Sequence, residues 1–148
     1  MKRLFYWLFI PFFSSKLMAE PVTWQLSVVP LSASNYAIQL TALLQPGWHI
    51  YSQKQPDESI ANPTIIRYEA DSSISFRGIA KEVGKMVVLY DSLDGIAANQ
   101  YYQRVSFIQV IKAEALKTFS VKVTIRYQTC SESECYPPRT QSFLAKFP

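Results

Sequence analysis

Two cysteines, Cys130 and Cys135, are the residues of this chain best suited to chemistry. The segment between them, Ser131–Glu134, has four residues, a usual length for a hairpin loop. Facing residues of a hairpin have Cα atoms about 4.5–5.5 Å apart, which lies within the roughly 4.4–6.8 Å that a disulfide requires. The spacing therefore favours a reversible bond between the two sulfurs.

The neighbours of the pair indicate how it would react. Glu132 and Glu134 are negative, and the loop contains no Lys, Arg or His that would favour a thiolate. Local charge therefore fits a pair that is attacked by, or passes electrons to, a stronger nucleophile on a partner. The segment Tyr136–Pro138 follows. Because its two prolines lack backbone donors, we expect a stiff edge beside Cys135, either a docking surface or simply a rigid turn.

A structural disulfide is the competing interpretation, since two cysteines in an exported chain often form one. Closing a ring of six residues stabilises a fold by only about 2 kcal/mol in the chain-entropy model. A short surface loop is also open to attack by another thiolate, as an exchange centre must be. On the residues alone, both interpretations remain open.

Other kinds of site have less support. His49 is the only histidine, and one His with two Cys leaves a structural zinc site one ligand short, so no metal is expected. A histidine in an aromatic strand is expected to pack rather than to activate a cysteine. The chain has no Ser-centred elbow, glycine-rich phosphate loop or metal-binding helix motif, so no cofactor is expected.

Residues 1–19 are typical of a secretion signal. Two basic residues precede the apolar run Leu4–Phe13, and the small Ala19 suits cleavage. The apolar run has about half the ~20 residues of a membrane-spanning helix; an uncleaved anchor is the alternative. We expect residues 1–19 to be removed, residues 20–148 to form one exported domain, and nothing else to cross a membrane.

Removal of the signal also changes the net charge. The chain has 15 basic and 11 acidic residues, and the signal contains three of the basic residues and none of the acidic ones. The mature chain therefore carries 12 basic and 11 acidic residues, a net charge of +1. Without a basic cluster, neither nucleic acid nor an anionic membrane surface is an expected partner.

Apolar and polar residues alternate with a period of two along most of the chain, which indicates strands. Eight or nine short strands with turns between them predict an all-β fold, a sandwich of immunoglobulin-like type, with a barrel as the alternative. The predicted strands are Trp24–Val28, Tyr36–Ala42, Trp48–Tyr51, Thr64–Glu69, Ser73–Ile79, Met86–Tyr90, Tyr101–Ile111, Phe119–Tyr127 and Thr140–Phe147.

Three details of this pattern need separate predictions. In Tyr101–Ile111 the apolar positions change parity after Phe107, which predicts a bulge or burial on both faces. Ala113–Lys117 is expected to form at most one helical turn. Cys130 is expected to end a strand that runs over Phe119–Thr129.

The segments Gln45–Ser52 (QPGWHIYS), Asn62–Thr64 and Tyr127–Pro138 (YQTCSESECYPP) together resemble the N-terminal periplasmic domain of the thiol:disulfide interchange protein DsbD. The likeness covers nearly all of residues 22–148, in order. It implies a periplasmic immunoglobulin-like sandwich that relays electrons. In that family the domain accepts reducing equivalents from a thioredoxin-like domain fed by a membrane transporter. It passes them to periplasmic disulfide isomerases and cytochrome c maturation thioredoxins.

By position, the resemblance implies that Cys130 and Cys135 are the redox pair and that Tyr51 and Tyr136 line the site. The family also shields its cysteines with a cap loop, which Asp91–Gly95 matches.

Within that loop, Leu93 stands where an aromatic shield is expected. The family's full-length proteins continue into a membrane domain and a thioredoxin-like domain, whereas this sequence ends at Pro148, so we expect either that its partners are separate proteins or that its role differs from the family's. The alternatives are a non-catalytic immunoglobulin-like binding module with a structural disulfide, and a docking or chaperone-like domain without turnover.

Overall fold

The computed structural model describes residues 19–91, 96–113 and 118–147. In these ranges the chain is all-β, as predicted, and contains no helix that is long and apolar enough to cross a membrane. The strands are β1 (Val22–Pro30), β2 (Asn35–Leu44), β3 (His49–Tyr51), β4 (Ile65–Glu69), β5 (Ile74–Asp91), β6 (Ile96–Ala113), β7 (Ser120–Tyr127), β8 (Thr129–Cys130) and β9 (Arg139–Lys146).

The strands form two antiparallel sheets that pack as a sandwich. The first sheet has six strands in the order β1-β2-β6-β3-β8, with β5 on the other edge of β6. The second sheet has three strands in the order β4-β7-β9. The predicted sandwich is therefore confirmed and the barrel alternative is wrong.

The core lies between the two sheets. Alternation along β7 turns one face inward, and its lysine and arginine side chains remain exposed. The ring of Trp24 in β1 lies 6.2 Å from that of Phe107 in β6 and 5.0 Å from that of Tyr127 in β7, so it joins the two sheets. The buried positions of β7 are Val121, Val123, Ile125 and Tyr127.

β5 is one strand of 18 residues where the sequence predicted two, Ser73–Ile79 and Met86–Tyr90. Between Arg77 and Lys81, β5 contains two more residues than the facing part of β6. This bulge includes Gly78, whose φ of +65° is accessible to glycine without strain. Because a bulge bends a strand without ending it, the two predicted segments belong to one element.

β6 has a matching irregularity closer to the site. Between Tyr101 and Val105, β6 contains two more residues than β5, and Gln103 has a φ of +61°. Gly84 of β5 faces this point, and a Cβ there would lie 2.9 Å from the carbonyl oxygen of Arg104. The close approach of the two strands therefore requires a glycine.

The predicted change of parity in Tyr101–Ile111 is confirmed as burial on both faces. Three consecutive residues, Val105–Phe107, are at most 5% exposed. The predicted helical turn Ala113–Lys117 begins at the last residue of β6, and its remaining residues, 114–117, lie outside the described ranges.

Candidate functional site

The segment between β7 and β9 leaves the second sheet and carries the cysteines to the first. β7 ends at Tyr127, which pairs with Arg139 of β9. After Gln128 the chain forms β8, in which Cys130 pairs with β3. The prediction that Cys130 ends the strand Phe119–Thr129 is therefore wrong. Because the chain changes sheets at Gln128, the ladder of β3, not that of β9, holds Cys130.

The cysteine loop closes as a short antiparallel turn. Cys130 and Cys135 face each other and form a disulfide with an S–S distance of 2.05 Å. Their Cα atoms are 4.0 Å apart, closer than the about 4.5–5.5 Å expected for facing residues. The backbone N–H of Ser131 donates to the carbonyl oxygen of Glu134 at 2.7 Å. The loop is therefore closed by its own backbone as well as by the disulfide.

The two cysteines differ in exposure. Cys130 is 1% exposed, whereas Cys135 is exposed. Thiol–disulfide exchange requires access to the sulfur that is attacked. A thiolate on another protein can therefore approach the pair from the Cys135 side, with Cys130 as the leaving sulfur.

Aromatic residues of β3 and β6 surround Cys130. His49 pairs with Cys130 of β8 and with Tyr102 of β6, so these three side chains share one face of the first sheet. Tyr51, two residues further along β3, has the same orientation, and its phenol donates to the Cys130 Sγ at 3.4 Å. The ring of His49 lies 5.3 Å from that of Tyr51 and 5.1 Å from that of Tyr102.

Burial sets the ionisation of these groups. Burial raises the pKa of Tyr51 above its ordinary value, and the nearby Tyr102 raises it further. The Tyr51 phenol therefore keeps its proton and can donate to sulfur. Burial lowers the pKa of His49, which is neutral at pH 7 as a result. Over the three described ranges, no three His, Cys, Asp or Glu side chains converge to hold a metal ion.

Tyr136 lies on the other side of the loop. Its ring packs on Trp48 with centroids 4.8 Å apart, and its carbonyl oxygen accepts from the Gln128 amide. Asn62 donates in turn to the Gln128 amide oxygen at 2.7 Å. These contacts hold Tyr136 in place at the start of the segment Tyr136–Pro138. Trp48 was not singled out from the sequence, and its only signal was its place in the segment QPGWHIYS.

An exposed apolar strand lies beside the site. Gln100 of β6 pairs with Tyr51 on one side and with Val87 of β5 on the other, so the three side chains share a face. Val87 is 37% exposed, and Leu89, two residues further along β5, is 46% exposed. Exposed apolar side chains beside a reactive group are typical of a protein-docking surface.

The sequence profile of the family described as "Thiol:disulfide interchange protein DsbD, N-terminal" matches residues 14–146. The chain belongs to this family. It is therefore a DsbD N-terminal-type thiol:disulfide interchange domain with a cysteine pair, and the predicted immunoglobulin-like sandwich is confirmed.

Solved structures share the fold of this DsbD N-terminal-type domain at low identity. The N-terminal periplasmic domain of ScsB from Proteus mirabilis is 16% identical with a TM-score of 0.57; the match covers 84% of this chain and 46% of that one. The DsbD N-terminal domain from Neisseria meningitidis, in complex with the PilB N-terminal domain, is 16% identical with a TM-score of 0.50, over 83% and 80%.

The GAE domain of yeast GGA1 is 9% identical with a TM-score of 0.50, over 88% of this chain and 94% of that one. This chain spans less than half the length of the ScsB chain that it matches. Comparison with curated protein sequences gives no match.

The DsbD-type cap loop was predicted at Asp91–Gly95. Asp91 is the last residue of β5, and its backbone pairs with that of Ile96, the first residue of β6. Leu93 belongs to residues 92–95, which lie outside the described ranges. A cap over the cysteines therefore stays a prediction.

Proposed function

We propose that this domain relays reducing equivalents in the periplasm by dithiol–disulfide exchange. A membrane-linked, thioredoxin-like donor reduces the Cys130–Cys135 bond. The reduced pair then reduces a thioredoxin-fold client, either a periplasmic disulfide isomerase or a cytochrome c maturation thioredoxin. The observation that carries this proposal is the unequal exposure of the two cysteine residues, with Cys130 1% exposed and Cys135 exposed.

Reduction of the domain proceeds through a mixed disulfide. A donor thiolate attacks the Cys135 Sγ, a bond forms between the two sulfurs, and the Cys130–Cys135 bond breaks with its electron pair on Cys130. The donor's second thiolate then attacks the donor sulfur of the mixed disulfide and releases Cys135. The donor leaves as a disulfide, and the domain holds two reduced cysteines.

Reduction of a client reverses these roles. The Cys135 thiolate attacks the client disulfide and forms a mixed disulfide, while one client sulfur leaves as a thiolate. Cys130 then attacks the Cys135 Sγ, expels the second client sulfur and restores the Cys130–Cys135 bond. The client gains two electrons, and no bound cofactor takes part.

Tyr51 stabilises the sulfur that leaves in the first step. Its phenol already donates to the Cys130 Sγ in the disulfide form, at 3.4 Å. Hydrogen bonds to charged groups contribute about 1.5–3 kcal/mol, roughly twice a neutral bond, so this contact strengthens as charge develops on Cys130. Because it is stronger in the transition state than in the ground state, it accelerates exchange.

A structural disulfide in a non-catalytic binding module is the alternative. The ring contributes only about 2 kcal/mol, and the loop is already closed by the Ser131–Glu134 backbone bond and by the pairing of β8 with β3. The bond therefore adds little to a loop that is held without it. This favours exchange over a structural role.

The partner is expected to dock around Cys135. The exposed Val87 and Leu89 and the Tyr136–Trp48 ring pair flank the disulfide and supply apolar and aromatic contacts. The DsbD N-terminal domain from Neisseria meningitidis forms a complex with the PilB N-terminal domain. By analogy, we expect thioredoxin-fold partners here, with residues 20–148 exported to the periplasm after removal of residues 1–19.

The reduction potential of the pair tests this proposal. The protein is equilibrated with glutathione or dithiothreitol buffers, and the fraction of free thiols is measured at each potential. An exchange centre is expected above about −300 mV, whereas structural disulfides typically lie below it. A variant with both cysteines changed to serine supplies the baseline. A value below that limit, together with no exchange with any thioredoxin-fold protein, would establish the structural role.

A further inference from the structure

We propose that His49 takes up a proton when the Cys130–Cys135 disulfide is reduced, so that the released Cys130 sulfur is held as a thiolate beside an imidazolium. This inference deepens the proposed function and rests on it, because that function makes Cys130 the sulfur that is released. His49 would thereby be a redox-linked proton site next to the reacting bond.

The register of the first sheet places the imidazole beside the sulfur. His49 of β3 and Cys130 of β8 are direct partners in an antiparallel ladder. Side chains of such partners share a face, with Cβ atoms about 4.5–5.5 Å apart. Tyr51 lies next to both residues, because its hydroxyl donates to the Cys130 Sγ at 3.4 Å and its ring lies 5.3 Å from the His49 ring.

The imidazole also has a nitrogen without a partner. His49 is 7% exposed, and its Nδ1 is buried with no hydrogen-bond partner among the residues that the structure describes. A buried polar atom without a hydrogen-bond partner destabilises the folded state, and such atoms in native proteins call for an explanation. A thiolate at Cys130 would favour the protonated His49 ring. In the disulfide form no negative charge at Cys130 favours protonation.

The charges near His49 predict that its pKa rises when the disulfide is reduced. In the disulfide form the facing groups are uncharged, and burial alone lowers the pKa of His49. Reduction introduces a negative charge at Cys130, the ladder partner of His49, and a nearby opposite charge favours the protonated imidazole. Among the residues that the structure describes, the titratable side chains that pack against the His49 ring are Tyr51 of β3 and Tyr102 of β6, both phenols.

The charges of the cysteine loop favour the protonated imidazole but disfavour the thiolate. Glu132 and Glu134 lie in the exposed loop between the cysteines, and both are negative. They disfavour a Cys130 thiolate that has no cation beside it, and they favour a protonated His49.

The proton and electron pair are accounted for at each step. When a partner thiolate attacks the Cys135 Sγ, the electron pair of the broken bond stays on Cys130, and a proton from solvent adds to His49. When Cys130 later attacks the Cys135 Sγ and expels a client thiolate, the proton leaves His49 for that thiolate or for solvent. No further oxidant or reductant is needed.

The chain has a single histidine, so one imidazole NMR signal reports on His49 without ambiguity. We expect its pKa to lie below 6.5 in the disulfide form and to rise by at least about one unit in the reduced form, a ten-fold gain in proton affinity. A chemical reductant suffices, and no mutation is required. In reduced Cys130→Ser, where no thiolate can form at this position, the rise should be absent.

A second measurement follows the sulfur. Cys135→Ser leaves Cys130 as the only thiol, and its thiolate is titrated by absorbance at 240 nm. Adding His49→Phe should raise the pKa of Cys130 by at least about one unit, because the adjacent cation is lost. Tyr102→Phe, which changes a neighbouring ring on the same face, is the matched control and should leave the titration unchanged.

The outcomes separate this inference from the relay itself. A His49 pKa equal within about 0.3 unit in the two redox states overturns the inference, as does a rise that persists in Cys130→Ser. A reduction potential in the range of structural disulfides and no exchange with any thioredoxin-fold protein, with the His49 shift intact, reject the relay and support the proton site. Exchange with partners and no His49 shift rejects the proton site alone.

Discussion

Residue by residue, the disulfide is asymmetric because its two sulfurs belong to different parts of the fold. Cys130 lies in β8, is paired with β3 and accepts a hydrogen bond from Tyr51. Cys135 lies beyond the loop and is exposed. Exchange chemistry needs one sulfur that a partner can reach and another that leaves as a thiolate. Cys135 is therefore the candidate for the attacked sulfur, and Cys130 is the candidate for the sulfur that leaves.

The first prediction assigns the roles by trapping. Cys130→Ser should accumulate a mixed disulfide through Cys135 with a thioredoxin-fold partner, because the resolving thiol is gone. Cys135→Ser should accumulate little, because its one remaining thiol is 1% exposed. Non-reducing electrophoresis with mass spectrometry of the adduct measures both. Trapping mainly through Cys130 would reverse the assignment.

The second prediction concerns Tyr51. Tyr51→Phe removes the donor to the Cys130 Sγ and should slow reduction by dithiothreitol roughly ten-fold or more, since hydrogen bonds to charged groups contribute about 1.5–3 kcal/mol. Stopped-flow measurement of disulfide loss gives the rate. The control is Tyr36→Phe, whose ring packs against Phe119 and Phe147 instead of the site. An unchanged rate in folded Tyr51→Phe would show that the phenol does not stabilise the thiolate.

Among the elements, the long β5–β6 pair determines where the site lies. β6 pairs with β2 over one part of its length and with β3 over another, so it connects the core to the cysteine-bearing end of the sheet. The bulge at Gln103 lies at this change of partner, and Gly84 of β5 accommodates it. The two glycines of this strand therefore have different physical roles.

The third prediction separates those roles. Gly84→Ala should lower the free energy of unfolding by about 1–3 kcal/mol, because its Cβ would lie 2.9 Å from a backbone oxygen, and Gly84→Asn should cost more. At Gly78, where φ is +65° and the space is open, Asn should cost less than Ala because Asn tolerates the left-handed region. Urea unfolding gives all four values. The same ranking of Ala and Asn at both positions would refute this account.

In the molecule as a whole, one contact ties the start of the described chain to the second sheet. The Glu20 carboxylate accepts a hydrogen bond from the Tyr127 phenol at 3.0 Å and lies 3.2 Å from the Arg139 guanidinium. Tyr127 ends β7 and Arg139 begins β9, so the contact sits where the cysteine segment leaves the second sheet. Glu20 is also the residue that follows the predicted cleavage point.

The fourth prediction is the start of the mature protein. Cleavage after Ala19 retains Glu20, and with it the contact to Tyr127 and Arg139. Intact-mass analysis of protein from the exported fraction should therefore show Glu20 as the first residue. A mass that includes Met1 would reject the cleaved signal.

The fifth prediction is alkaline destabilisation. Burial, reinforced by Glu20, raises the pKa of Tyr127 to about 12, and burial raises the pKa values of Tyr68 and Tyr101 as well. In the unfolded chain these phenols lose their protons near pH 10, and in the folded chain they lose them at a higher pH. The stabilisation is therefore complete below pH 10 and is lost as pH rises toward the folded values, at up to about 1.4 kcal/mol per pH unit for each tyrosine.

Thermal unfolding between pH 9 and 11 measures this slope, with tyrosinate absorbance at 295 nm as the monitor. Tyr127→Phe should reduce the slope by up to about 1.4 kcal/mol per pH unit, the contribution of one tyrosine, whatever its effect on stability at neutral pH. A stability that stays constant over this range would contradict the assignment.

The sequence by itself determined the fold class, most strand positions and the closeness of the two cysteines. These are local properties: the period-two alternation of β7 and the four-residue loop between Cys130 and Cys135 operate within one segment. The motifs QPGWHIYS and YQTCSESECYPP also indicated the family, and the match over residues 14–146 confirms it.

Only the tertiary structure decided how deeply Cys130 is buried and which side chains surround it. Tyr51 and Cys130 are 79 positions apart, and their contact depends on the change of sheets at Gln128. No local sequence pattern predicts that change. The environment of His49 likewise depends on two neighbouring strands, β6 and β8. Burial and cross-strand pairing are long-range properties, because they arise when segments distant in sequence share one sheet, and they determine the chemistry of the site.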